Sequence, residues 1–253
     1  MCILFIAVDM HPKWPLIVCA NRDEFHHRPT EPAHFWPQDA TTQILAGKDL
    51  QAGGTWLGVN QLGNFAALTN IRLQTSEDGM RSRGELVLKA LADDNTFNPQ
   101  WLAQHADNYS PFNLVYQYDK HLWCFNSVTA ENTQLKKGFH AISNGALDDV
   151  WPKMAKGQMA LEQHVLKHAA PDIPHMLELM RDQTQAQDSN LPDTGIGLEW
   201  ERLLSAIFIK HPEYGTRSTS VVLQDCRGNI ELTEVRYDGK GRNLGQQQFT
   251  ISL

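Results

Sequence analysis

Met1-Cys2-Ile3-Leu4-Phe5-Ile6-Ala7-Val8 opens the chain. From Cys2 onward the run is apolar without alternation, which predicts a strand over 2–9 covered on both faces. The second residue gives this strand chemical interest. Methionine aminopeptidases generally remove Met1 when the next side chain is as small as Cys. The strand would then begin with a thiol and a free α-amine on one residue. An α-amine titrates at about 7.7–8.0, far below lysine, so it can act as a base near neutral pH while the thiol is the nucleophile. This is the premise of an N-terminal-nucleophile (Ntn) hydrolase. The alternative is that Cys2 is a small, inert residue at the head of a core strand.

Outward from that strand, Asp9, His11, Pro12 and Pro15 mark a turn, and Leu16 to Ala20 reads as a second, antiparallel apolar strand. It runs into Asn21-Arg22-Asp23-Glu24-Phe25, polar groups at a strand end where a site belongs. Residues 26–42 hold Pro29, Pro32 and Pro37 and read as an irregular loop. A short strand over 44–47 is expected next. Gly53-Gly54, Thr55-Trp56-Leu57-Gly58-Val59, a turn at 60–63 and Phe65–Leu68 then form a hairpin pattern ending in Thr69-Asn70. Gly54 and Gly58 mark places of close backbone approach.

Ser82-Arg83-Gly84-Glu85 has capping-box spacing before an apolar helix. Asn98-Pro99 starts another helix, through about Ala106. Strands are expected over 112–118 and 121–126 around Asp119-Lys120, and a strand end at Ala141-Ile142 before Ser143-Asn144-Gly145. Helices follow over about 153–168, 174–182 and 198–209, with a polar loop over 183–197. The closing strands are 216–224, 229–237 and 248–252. The order strands, helices, strands, helices, strands, without repeat or linker, reads as one domain over 1–253. Its expected class is α+β, a four-layer α-β-β-α sandwich of two mainly antiparallel sheets.

A chain of 253 residues can bury its core without disulfide staples. The net charge of −7 argues against nucleic acid and anionic membrane as partners. The cysteines, Cys2, Cys19, Cys124 and Cys226, form no Cys-x-x-Cys pair, so no metal or dithiol redox motif is expected. The opening apolar run is too short to span a membrane and lacks a basic leader, which makes the cytoplasm the expected location and an integral membrane segment unexpected.

Asn21-Arg22-Asp23-Glu24, with Arg28-Pro29 after it, resembles the signature of the NRDE family, whose eukaryotic branch is the transport and Golgi organization protein 2 family. The resemblance extends to Met1-Cys2, residues 53–58, Leu68-Thr69-Asn70 and Ser143-Asn144-Gly145. It implies an Ntn-hydrolase-like fold and an intracellular role in haem handling, with lipid or acyl-CoA metabolism as a further theme. A more distant resemblance is to choloylglycine hydrolase and penicillin V acylase, which also start with cysteine after Met loss. Their pattern puts an Arg and an Asp after the second strand, then later Asn residues and a late Arg. The matching candidates here are Arg22, Asp23, Asn70, Asn144 and Arg217. Arg22 and Asp23 are adjacent here, whereas that group separates them.

The expected roles follow from chemistry. Cys2 attacks a carbonyl carbon of an amide or acyl thioester. Arg22 favours its thiolate by charge, and Asp23 holds the α-amine by a charge-assisted hydrogen bond. Asn70 and Asn144 donate N–H to an oxyanion, each such donor typically worth about 3 kcal/mol. Arg217 binds a substrate carboxylate or steadies the site. Asn21, Glu24 and Trp56 are ligand-pocket candidates. Each has a structural alternative: an ion-pair cluster for Arg22 with Asp23 or Glu24, turn formation for the asparagines, a surface position for Arg217, a core aromatic for Trp56. The hydrolase reading needs no cofactor. In the haem reading, haem is a transported ligand. No Cys-x-x-Cys-His motif attaches it, and His26, His27 and His34 read as solvated loop residues. The small-molecule partner that the resemblance implies is haem, with an acyl lipid as the further candidate.

Overall fold

The computed structural model describes residues 2–37, 42–73, 79–92, 96–149 and 151–253. Strands β1 (Cys2–Val8), β2 (Leu16–Phe25), β3 (Thr30–Phe35), β4 (Ile44–Asp49), β5 (Leu57–Asn60) and β6 (Phe65–Asn70) come first. Helices α1 (Gly84–Leu91) and α2 (Pro99–His105) follow, then β7 (Phe112–Tyr118), β8 (His121–Asn126), β9 (Glu131–Gln134) and β10 (Gly138–Ile142). Helices α3 (Pro152–Lys167), α4 (Ile173–Leu179) and α5 (Leu198–Leu204) precede β11 (Tyr214–Gln224), β12 (Ile230–Tyr237) and β13 (Asn243–Ile251).

Two antiparallel sheets result. One is six-stranded, in the order β10-β1-β2-β11-β12-β13; the other is seven-stranded, in the order β3-β4-β5-β6-β7-β8-β9. Strand alternation sorts the apolar residues of β1 and β2 between two cores. Leu4, Ile6, Leu16 and Val18 face Leu45, Val59, Phe65 and Val115 of the seven-stranded sheet. Ile3, Phe5, Ile17 and Cys19 face the other way, onto Met154, Leu161 and Val165 of α3 and Met176 of α4. Ala46, Ala66, Leu114 and Tyr116 cover the outer face of the seven-stranded sheet beneath α1 and α2. The layers are therefore helices, sheet, sheet, helices, as the doubly apolar strands require. Gly157 makes one contact possible, because a Cβ there would lie 2.0 Å from the Phe5 ring.

Several local expectations change. β2 continues through the polar segment to Phe25, because β11 pairs with it as far as Tyr214↔Phe25. Residues 30–35 form an edge strand despite Pro32; at an edge the missing N–H costs no ladder bond, and the register with β4 shifts there between Glu31 and His34. The rest of the expected 26–42 loop includes residues 38–41, outside those described. The capping box does not form: α1 is capped by Arg83 without a side-chain bond, and Glu85 pairs with Arg81 at 2.7 Å. The Asn98 cap does form, its side chain accepting from Trp101 N–H at 2.8 Å. Polar β9 had no apolar pattern to mark it. α5 stops at Leu204, well short of the expected 209. Among the described residues no helix is long and apolar enough to cross a membrane.

Candidate functional site

The first residue of β1 lies opposite the middle of the polar segment of β2, Cys2 facing Arg22. Cys2, Arg22, Asp23 and Glu24 line a cavity of about 290 Å³ with Arg28, Asp49, Thr55, Trp56, Leu68, Asn70 and the residues that lead into α1. Arg22, Asp23 and Glu24 project from the end of β2, Asp49 from the end of β4 and Asn70 from the end of β6, while Arg28, Thr55, Trp56 and residues 80–83 come from the connecting segments.

Arg22 is buried, with its guanidinium 4.3 Å from the centroid of the Trp56 ring. Its Nη2 lies 3.3 Å from Asp49 Oδ2 and 4.0 Å from Glu24 Oε2. Arg28 Nε donates to the same Asp49 oxygen at 2.6 Å. The other oxygen, Oδ1, accepts from Gln51 and Ala52 N–H at 3.0 and 3.1 Å, which fixes the turn after β4. Burial works against the Asp49 charge, but the Arg28 bond, the turn N–H and both guanidiniums outweigh it and hold the carboxyl below its ordinary range. Burial likewise opposes Glu24, and the Phe25 N–H, Arg22 and Arg28 help to bring it below its ordinary value. Trp56 is thus both a pocket wall and the platform for Arg22.

At Cys2 burial prevails. It pushes the thiol up; Asp23 and Glu24 add to the rise, and Arg22 opposes it. Arg22 acts in the expected direction but does not by itself make a thiolate, so attack by Cys2 requires a base that takes its proton. Met1, whose removal would supply that base as the Cys2 α-amine, lies outside the described residues.

The remaining candidates separate. Asn70 lines the cavity, and its carbonyl accepts from Asn144 Nδ2 at 2.9 Å. Asn144 Oδ1 accepts from Arg72 Nη2 at 3.1 Å. Both ends of the Asn144 amide therefore clamp the β6 end, and Asn144 is not part of the cavity lining. Asn21 also points away from it. Its Nδ2 donates to the carbonyls of Met180 and Ile207 at 2.8 and 2.9 Å, and its Oδ1 accepts from Thr219 Oγ1 at 2.6 Å. Arg217 lies at a register shift in β11 between Thr216 and Ser218. Such bulges re-aim a side chain, and Arg217 Nη1 donates to the carbonyls of Phe25, His26 and Arg28. It braces the turn after β2 from outside the cavity.

Behind the cavity, on the helix side of the six-stranded sheet, lies a second polar group. Asp23 Oδ1 accepts from Thr216 Oγ1 at 2.7 Å. Burial raises the Asp23 carboxyl, opposed by that bond and by the charges of Lys153 and Arg72. Arg72 and Glu201 form a buried ion pair at 3.0 Å. Glu201 Oε1 also accepts from Thr194 N–H at 2.8 Å. Sequence reading missed Asp49, Arg72, Lys153 and Glu201. An acid closing a short strand before Leu-Gln-Ala-Gly-Gly was a usable signal for Asp49; the other three come from distant segments and left none. Among the described residues no cluster of His, Cys, Asp and Glu could hold a metal ion.

Comparison with known proteins adds to this geometry. Residues 1–239 match the family model described as Transport and Golgi organisation 2. The Transport and Golgi organization protein 2 homologs of Bos taurus and Homo sapiens are 33% and 31% identical, each alignment covering 92% of this chain and 92% of the relative. A mutant conjugated bile acid hydrolase from Clostridium perfringens superposes with a TM-score of 0.54 at 10% identity, covering 100% of this chain and 97% of that one. That likeness shows the fold: α+β, two antiparallel sheets between helices, of the Ntn-hydrolase kind.

Proposed function

The chain belongs to the Transport and Golgi organisation 2 family, and from that premise we propose that it is a Cys2-dependent hydrolase of an amide or acyl thioester bond. One observation carries the reading: of Cys2, Cys19, Cys124 and Cys226, only Cys2 is among the residues lining the cavity at the end of β2. With Met1 removed, the α-amine takes the thiol proton as Sγ attacks the carbonyl carbon. The leaving amine or thiol departs with that proton, and water then cleaves the acyl-enzyme. Arg22, held over Trp56, supplies positive charge beside the reacting centre, and Asp23 supplies the carboxylate that orients the amine. Asn70 is the oxyanion donor in this scheme, since Asn144 is committed to clamping it.

The test uses protein tagged only at its C-terminus. Its intact mass should lack one methionine, and a panel of N-acyl amides and acyl thioesters should yield turnover that Cys2→Ala lowers by roughly 10³-fold or more. Full retention of Met1, or equal turnover by Cys2→Ala, overturns the proposal.

Haem handling in the cytoplasm is a second reading, favoured by a thioether donor on the cavity wall, Met80. It expects a Soret shift on haem titration that survives Cys2→Ala and weakens in Met80→Ala. An unchanged spectrum overturns it.

A further inference from the structure

His164, His168 and His175 gather where α3 turns back into α4. His164 is 2% exposed and stacks on both of the others, with ring centroids 4.5 Å from His168 and 4.7 Å from His175. Its Nε2 accepts the Asp172 N–H at 3.0 Å, so the hydrogen of the neutral ring sits on Nδ1. That Nδ1 is buried and has no hydrogen-bond partner among the described residues. An imidazolium carries a hydrogen on both nitrogens. A protonated His164 in this place would set its Nε2–H against the Asp172 N–H, so the turn between the two helices requires the neutral ring.

Asp172 is also the cap of α4, its Oδ1 accepting from the His175 N–H at 3.3 Å. The far end of α4 has a tie of its own, the Met180 carbonyl accepting from Asn21 Nδ2 at 2.8 Å. Between the two ties Met176 sits in one core with Ile17, Cys19 and Val221 of the six-stranded sheet. The titratable and charged groups facing His164 are His168 from α3, Asp172 from the turn and His175 from α4. The sheet contributes apolar side chains and the Cys19 thiol, which burial pushes up to about 12 and which stays neutral in acid. Burial and the two other histidines hold His164 below its ordinary value, and Asp172 opposes them.

We propose that His164 is an acid-sensitive latch on α4: when it takes up a proton it loses the Asp172 N–H, and α4 lifts from the six-stranded sheet. Lifting uncovers Met176 and draws the Met180 carbonyl from Asn21. Asn21 adjoins Arg22, so the release reaches the strand end that lines the cavity. The sign follows from the two states. The closed state holds His164 neutral, and the open state lets it charge near the ordinary value of about 6.5. Closure is therefore full above that value and weakens as pH falls below it. A charged His168 or His175 widens the difference, because a like charge disfavours a proton on the closed ring.

The test is hydrogen exchange of the whole chain, read by peptide mass spectrometry between about pH 7.5 and pH 5, with each rate divided by the intrinsic rate at that pH. Helix α1, which holds no histidine, is the internal reference. Peptides over the start of α4 should open about three- to tenfold more readily at pH 5.5 than at pH 6.5, the effect of one proton taken up on opening, while α1 keeps its protection. His164→Gln has a side-chain carbonyl that can accept the Asp172 N–H and does not titrate, so its α4 should stay closed at both pH values. An α4 response no larger than that of α1 overturns the inference. So does a response in folded His164→Gln equal to wild type, which would leave the three histidines a structural stack. If His164→Gln does not fold, the double variant His168→Gln with His175→Gln decides. It should flatten the response, and an unchanged response overturns the inference.

Discussion

The two faces of β2 solve one problem in opposite ways. On the face toward the second sheet, Arg22 and Glu24 meet Arg28 and Asp49 in a cavity, where charges are shared and partly solvated. On the face toward the helices, Asn21 and Asp23 meet Thr219, Thr216, Lys153 and the Arg72–Glu201 pair under full burial. One residue of strand separates the two environments. In the cavity a lost partner is replaced by another or by water. Behind the sheet each group depends on a fixed partner, because an unpaired buried charge costs several kcal/mol.

The sharpest way to break this comparison is Arg72→Met. It leaves Glu201 in the interior with the Thr194 hydrogen bonds and the charge of Lys153 in place of its ion pair, and the expected loss is about 3–5 kcal/mol in urea unfolding; a loss below about 1 kcal/mol would place this pair with the redundant cavity charges. Asn21→Ala comes next. It leaves the carbonyls of Met180 and Ile207 without their donor, and about 1–3 kcal/mol should be lost. Hydrogen exchange should locate that loss at the end of α4. The smallest effect is expected from Arg28→Ala, under about 1 kcal/mol, because Arg22 stays on Asp49.

Acid sharpens that last comparison. Asp49 and Glu24 are held below their ordinary values, so the stability they contribute is full above the unfolded carboxylate range near 4 and is lost as pH falls through the lower folded values. The difference between wild type and Arg28→Ala should therefore be present at pH 7 and vanish in strong acid. Unfolding midpoints across that range check the sign.

The layered fold was legible because β1 and β2 are apolar on both faces, which only a covered sheet allows, and because Asp119-Lys120 makes the tight turn it suggests, with φ of 48° and 63°. Pro32 concealed β3, and the polar Glu131–Gln134 concealed β9, since edge position rather than composition makes them strands. In the site, Asn21 to Glu24 stood out because they are contiguous. That they point to opposite sides follows from alternation, but what each meets does not. Arg72 and Glu201 are 129 residues apart, and nothing near either in sequence announces the other. Lys153 follows Trp-Pro at an ordinary helix start, and only its depth makes it unusual.

The order of strands also sets a schedule for synthesis. The seven-stranded sheet is drawn from one stretch of chain, 30–134, with neighbours in sequence paired in space, so it can close as the chain emerges. The six-stranded sheet is collected from three separated pieces, and β2 waits for β11, nearly two hundred residues later. A nascent chain therefore carries Cys2 and its neighbouring charges exposed through most of translation, and the strand that gives Asp23 its threonine arrives near the end. A message truncated before residue 214 would yield a complete seven-stranded sheet beside an unpaired β2, a product suited to capture by chaperones and proteases.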